Sequence, residues 1–185
     1  KMNIVVSDAE LETSLKLQRQ SSDGEESQQT QDASYLDFYG WSPDEYRHIV
    51  RNSLLRQKVA YAVDDNASKI VASMALRIKA DNTNLPALAS TVNLASKNQV
   101  GYGASGWVPR TNLDGGLARA ADRLQKGQTS DAIRSTIDNT DYYVFVKLLD
   151  INSDQVSYEY IQIPLTTFTK NLDKLKKDNK VNYYM

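Results

Sequence analysis

GYGASGWVPRTNL, residues 101–113, holds three of the chain's eight glycines and one of its two tryptophans. Glycines at 101, 103 and 106 around an aromatic, closed by a Val-Pro-Arg step, mark backbone angles or close approaches that a side chain would forbid. Such a glycine bend serves either as a tight packing corner of the fold or as the rim of a binding site. The segments on either side decide what surrounds it.

Downstream, LDGGLARAADRLQKG reads as a helix with Leu117, Ala121 and Leu124 inward and Gly127 as its stop. TSDAIRSTI and DYYVFVKLLDI, joined by Asp-Asn-Thr, have the pattern of a hairpin. VSYEYIQIPL is another strand, with Val156, Tyr158 and Tyr160 alternating against Ser157, Glu159 and Ile161. TFTKNLDKLKKD closes the chain as a helix aligning Phe168, Leu172 and Leu175.

Upstream the pattern is helical. VSDAELE carries a capping box, Ser7 with Glu10, and a Val6–Leu11 staple, after which Leu11 and Leu15 share a face. SSDGEESQQTQDAS (21–34) is polar and acidic without apolar period, the composition of a mobile loop. GWSPDEYRHIV starts a second helix: Ser42 is the N-cap, Pro43 suits the first position, and Glu45 closes the box. Trp41 and Tyr46 hold the staple positions, and the spacing turns Ile49, Val50 and Leu54 toward the helix after Ser7. DDNASKIVASMALRIKAD restarts a helix with Ile70, Val71, Met74 and Ile78 inward, and LPALASTV is a short helical turn.

Composition narrows the function classes. A length of 185 residues allows one good domain and a smaller one. Lys and Arg number 22 against 23 Asp and Glu in mixed order, so no basic face points to nucleic acid. Without cysteine there are no disulfides and no thiolate nucleophile or ligand. The single histidine, His48, lies between Arg47 and Ile49 on a helix flank, as a solvated or capping residue does. No cofactor or metal site is expected.

LAS (88–90), GASGWVPR (103–110), ARAADRLQKGQTSDAI (118–133) and YYVFVKLLD (142–150) follow one another in an order that resembles the parvulin-type peptidyl-prolyl isomerase domain. VSDAELE and YGWSPDEYRHIVRNSLLRQKV are similar to the helical domain that precedes parvulin domains in SurA-like extracytoplasmic chaperones. The two likenesses together span roughly residues 4–150. They imply an α+β chain: a SurA-like helical domain over 1–63, a parvulin-like domain over 64–152, and a strand and helix over 153–185. The family's opening strand is not found ahead of the Ile70 helix. The stretch 155–163 either fills that vacant sheet position from the other end of the chain or opens a second unit.

What the resemblance implies for chemistry is mostly loss. Lowering the barrier of about 18–20 kcal/mol to amide rotation needs an apolar seat for the proline ring and polar groups that favour the twisted amide. The family's acidic or thiol position falls on Ala95, and the serine near it on Asn93. The pocket phenylalanine falls on Asp122, the histidine of the closing strand on Val144 beside Tyr143, and the other histidine on Tyr160. A carboxylate at 122 puts a charge where an apolar ring should bind. The expectation is therefore a foldase or chaperone with a degenerate isomerase site that binds unfolded or secreted polypeptides and no nucleic acid. Trp107, Tyr143, Tyr158, Tyr160 and Asp122 are its candidate peptide contacts. An isomerase with an altered constellation and an adaptor with one dedicated partner are the alternatives. The likeness also implies an extracytoplasmic place, with a signal or membrane anchor ahead of Lys1.

Overall fold

The computed structural model describes residues 2–21, 24–80, 84–96, 99–138 and 140–178. The chain is a mixed α+β protein whose contacts divide it into two compact units between Tyr61 and Ala62.

The first unit is helical. Its helices are α1 (Asp8–Gln18), α2 (Gln28–Tyr39) and the start of α3 (Pro43–Val63). The Ser7 hydroxyl accepts the Glu10 amide while the Glu10 carboxylate accepts the Ser7 amide at 2.8 Å, so two orphan donors of the first turn are satisfied together. The same box recurs at α3, where Ser42 N–H donates to Glu45 at 2.8 Å. Leu11 and Leu15 of α1 pack on Tyr46 and Val50 of α3, with Val6, Tyr35, Trp41 and Leu54 around them. Ile49 is turned out and 40% exposed, unlike its expected inward neighbour Val50. Arg51–Asp8 at 2.6 Å, Lys58–Glu10 at 2.7 Å and Arg47–Glu12 tie the outer flanks together. Exposed pairs of this kind each contribute about 0–1 kcal/mol, so the apolar seam sets the packing.

The stretch 21–34 is not the loop that its composition suggests. Residues 22–23 lie outside the described residues, Gln20–Ser21 (β1) pairs with Gly24–Glu25 (β2), and 28–34 form the first turns of α2. The Ser27 hydroxyl caps that helix by accepting the Thr30 amide at 3.1 Å, and Gln31 is buried. Tyr35 of α2 then stacks on Tyr46 with ring centroids 4.0 Å apart. Aromatic contacts, Tyr35 on Tyr46 and Tyr39 on Trp41, rather than an apolar stripe, hold this helix in place.

The second unit begins with α4 (Asp65–Ala80) and α5 (Leu85–Ser96), the latter twelve residues where the sequence suggests a short turn. It continues with β3 (Gly101–Pro109), α6 (Leu117–Ala121), β4 (Ile133–Ile137), β5 (Thr140–Ile151), β6 (Gln155–Pro164) and α7 (Thr167–Lys177). These strands form one antiparallel sheet in the order β3-β6-β5-β4. The stretch 155–163 thus lies in β6, an inner strand between β3 and β5. Contacts place 153–178 in the same compact unit as the described residues of 64–152. α6 is shorter than its pattern: the helix stops at Ala121, and Leu124 reaches the core from the following turn.

The glycine stretch is an edge strand rather than a bend. Gly101 to Ala104 run in register with Gln162 to Glu159, the register slips, and Trp107 to Pro109 pair with Ser157 to Gln155. That slip is a β-bulge. Gly106 takes φ +66°, a left-handed angle that strains any other residue. The Ser105 hydroxyl accepts the Tyr158 amide at 3.1 Å, so the bulge leaves that inner donor paired.

Side-chain alternation gives the sheet two faces. Val144, Val146 and Leu148 of β5 and Val156 and Tyr158 of β6 pack on Leu117, Ala118 and Ala121 of α6. Phe145, Ile161 and Ile163 point the other way, where α4 and α5 cover β6. Between the helices sits Asp64, 2% exposed. Its carboxylate caps α4 by accepting the Ala67 amide at 3.0 Å, and caps α7 by accepting the Thr166 and Thr167 amides at 2.8 and 3.0 Å. Burial raises the Asp64 pKa, but the three backbone donors outweigh it and hold the carboxyl below its usual 3.8.

Candidate functional site

Register sorts the candidate peptide contacts onto opposite faces of the sheet. Tyr158 and Tyr160, two apart on β6, share the α6 face, with ring centroids 6.1 Å apart. Trp107 stands opposite Ser157, and Tyr143 stands opposite Ile163, so both belong to the reverse face. The five residues therefore do not form one constellation. The pairing register of two strands, not their composition, decides this, and a single bulge shifts it.

On the α6 face the Tyr158 hydroxyl and the Asp122 carboxylate are both engaged structurally. Tyr158, 3% exposed, donates its hydroxyl to Asp114 at 2.5 Å, and burial together with that carboxylate pushes its ionisation well above the ordinary 10.0. Asp114 also accepts the Ala118 amide at 3.1 Å and the Asn112 side chain at 2.9 Å, which fixes the turn into α6. Asp122 ends α6 and pairs with the Arg110 guanidinium at 2.5 Å. Arg110 is held in turn by the Ser153 carbonyl, at 3.2 Å from Nη1. The charge at 122 is thus neutralised in place. Val144 is fully buried against α6. Tyr160 is half-buried, and its ring lies across Gly103: a Cβ built on that glycine would meet the tyrosine Cζ and Oη at 2.6 Å. Asn93 uses both ends of its amide to bracket the backbone of Val100, at 2.8 Å each, just ahead of β3. The Ala95 side chain lies outside the described residues, although its helix α5 is described.

The reverse face carries a polar cluster that the sequence does not announce. Lys147 and Glu159 are directly opposite on β5 and β6, with Nζ 3.2 Å from Oε1 and side chains 12% and 11% exposed. The Tyr102 hydroxyl donates to the other Glu159 oxygen at 2.8 Å. Burial, then the Glu159 carboxylate, raises the Tyr102 ionisation above its usual value. The signal was present in VSYEYI, where the alternation sets Glu159 with Ile161, whose apolar chain wants the interior. Charges on opposite strands at matching register are invisible until the register is known.

His48 is exposed on α3 and borders a shallow depression with Trp41, Asp44, Glu45 and Ile49. A cavity of about 370 Å³ in the second unit is lined by Asp64, Ile70, Gln99, Ile163, Thr166 and Lys170, among others, and the Asp64 carboxylate facing it is committed to the two helix caps. Among the described residues, no helix is long and apolar enough to cross a membrane. No protein-family model, no curated protein and no solved structure matches this chain.

Proposed function

We propose that the chain is an extracytoplasmic chaperone of the parvulin and SurA-like type, which binds unfolded or extended polypeptide on a scaffold whose isomerase site has been lost. The observation that carries this reading is the position of β6. An inner strand supplied from the C-terminal side lies between the glycine-rich strand β3 and the strand β5, and on this reading it takes the place of the family's opening strand. On this reading the sheet is circularly permuted, and the order of glycine strand, short helix and hairpin is kept around it.

The loss of chemistry rests on the same positions. Val144 is sealed under α6, Asp122 is tied to Arg110, and Tyr160 covers Gly103, so no apolar seat for a proline ring opens between them. Tyr158 is spent on Asp114, leaving it no free proton to donate to a twisted amide. A chaperone without catalysis acts by holding chains rather than by turning over bonds. The test is isomerisation of a proline tetrapeptide series. The expected rate equals that of the uncatalysed reaction. Acceleration that disappears in Tyr160→Phe would establish an enzyme with an altered site and defeat this half of the reading.

A further inference from the structure

We infer that the outer edge of β3 is a strand-addition site, and that its occupant is an extended, uncharged polypeptide segment pairing along Gly101–Ala104. This deepens the chaperone reading above, on which the identity of the occupant rests.

The two edges of the sheet differ in how they are guarded. β4 is five residues long, carries Arg134, and is followed by Asp138. Short length and charge are the means by which edge strands avoid pairing with other chains. β3 has nine residues and not one charged side chain. Its bulge interrupts the edge only after Ala104, so Gly101–Ala104 remains a regular run whose alternate amides and carbonyls point away from β6.

The edge is also flanked by side chains that suit a peptide backbone. On the α6 face, Tyr160 and Gln162 lie across the two glycines, where a Cβ on Gly103 or Gly101 would sit 2.6 Å from the tyrosine hydroxyl or 2.8 Å from Gln162 Cγ. The glycines let these groups reach toward the edge. On the reverse face, Tyr102 and Trp107 stand 43% and 50% exposed. An added strand would therefore place alternate side chains beside Tyr160 on one face and beside Tyr102 and Trp107 on the other. Main-chain bonds to the edge supply affinity without regard to sequence, and aromatic flanks favour apolar residues at alternate positions. A net charge of −1 and an uncharged edge fit an uncharged segment better than a strongly basic or acidic one.

Amide exchange by NMR tests this on the intact chain, using a heptapeptide of alternating valine and threonine and, in parallel, a permanently unfolded reduced and alkylated protein. At about ten times the peptide's Kd, outward-facing amides of 101–104 should exchange about tenfold more slowly, with those of β4 unchanged. Ala104→Asp, which adds a guard charge at an exposed position, should abolish that protection. Protection that appears elsewhere, or none at 101–104, overturns the proposal. So does protection that rises with the protein's own concentration in the absence of peptide, since the occupant is then a second copy of the chain. Suppression of client aggregation is read separately. A chaperone that shows no change at 101–104 sinks the edge and keeps the function, and the converse result does the reverse.

Discussion

Asp64→Ala removes one side chain that caps two helices at once, and its cost can be worked from the geometry. The loss of the α4 cap at Ala67 costs about 1 kcal/mol, within the usual range for an N-cap. The Thr166 and Thr167 amides lose their acceptor as well. A buried donor left unpaired costs about 1–3 kcal/mol, and the adjoining cavity admits water, which places each near the lower end. The sum is about 3 kcal/mol. Against a urea slope of about 1–3 kcal/mol per molar, the midpoint should fall by about 1–3 M. The assay is urea unfolding of the second unit, followed by Trp107 emission in a Trp41→Phe background. Asp64→Asn keeps one acceptor oxygen and should lose about half as much. Because the folded carboxyl titrates below its ordinary 3.8, its contribution is present above that pH and disappears as pH falls through the lower folded value. The gap between wild type and Asp64→Ala should therefore be full at pH 6 and shrink below about pH 4. A midpoint within about 0.3 M of wild type at pH 6 would refute the double-cap reasoning.

Three further outcomes are expected. Ser42→Ala removes the box that opens α3 and should cost about 0.5–2 kcal/mol, measured by Trp41 emission with Trp107 replaced by Phe. Lys147→Met leaves Glu159 buried without its opposing ammonium and should cost about 3–5 kcal/mol, whereas the double variant Lys147→Met/Glu159→Leu should recover most of it; equal losses in both would show that the stranded carboxylate is not the source of the cost. Gly106→Ala forces a side chain into the left-handed region and should lower stability by about 1–2 kcal/mol, visible in the same urea midpoint.

Much of the local structure is legible in the sequence. The Ser7–Glu10 and Ser42–Glu45 boxes form as their three-residue spacing dictates, because a cap is a contact within one turn. The hairpin of β4 and β5 and the strand at 155–163 follow from alternation in the same way. What failed was non-local. α2 is polar and lacks an apolar stripe despite its Ser27 cap, and Tyr35 packs it against Tyr46, eleven residues away. The glycine stretch looks like a bend because glycines usually turn chains; here two of them lie flat under Tyr160 and Gln162 from a strand more than fifty residues on. The candidate contacts scattered for a related reason. Trp107 and Tyr160 lie on the paired strands β3 and β6, but a bulge between Ala104 and Trp107 sends them to opposite faces. Lys147 and Glu159 meet only because β6 inserts beside β5.

The central claim, that this chain holds unfolded polypeptide, is tested most directly by light scattering of a client diluted from denaturant. The client should carry no net charge at the assay pH, so that charge alone does not bring it to a chain of net charge −1. Scattering should fall in proportion to added chain, approaching full suppression near a few equivalents, while an equal mass of an inert protein leaves it unchanged. Scattering that is the same with and without the chain, at every ratio tested, would contradict the claim.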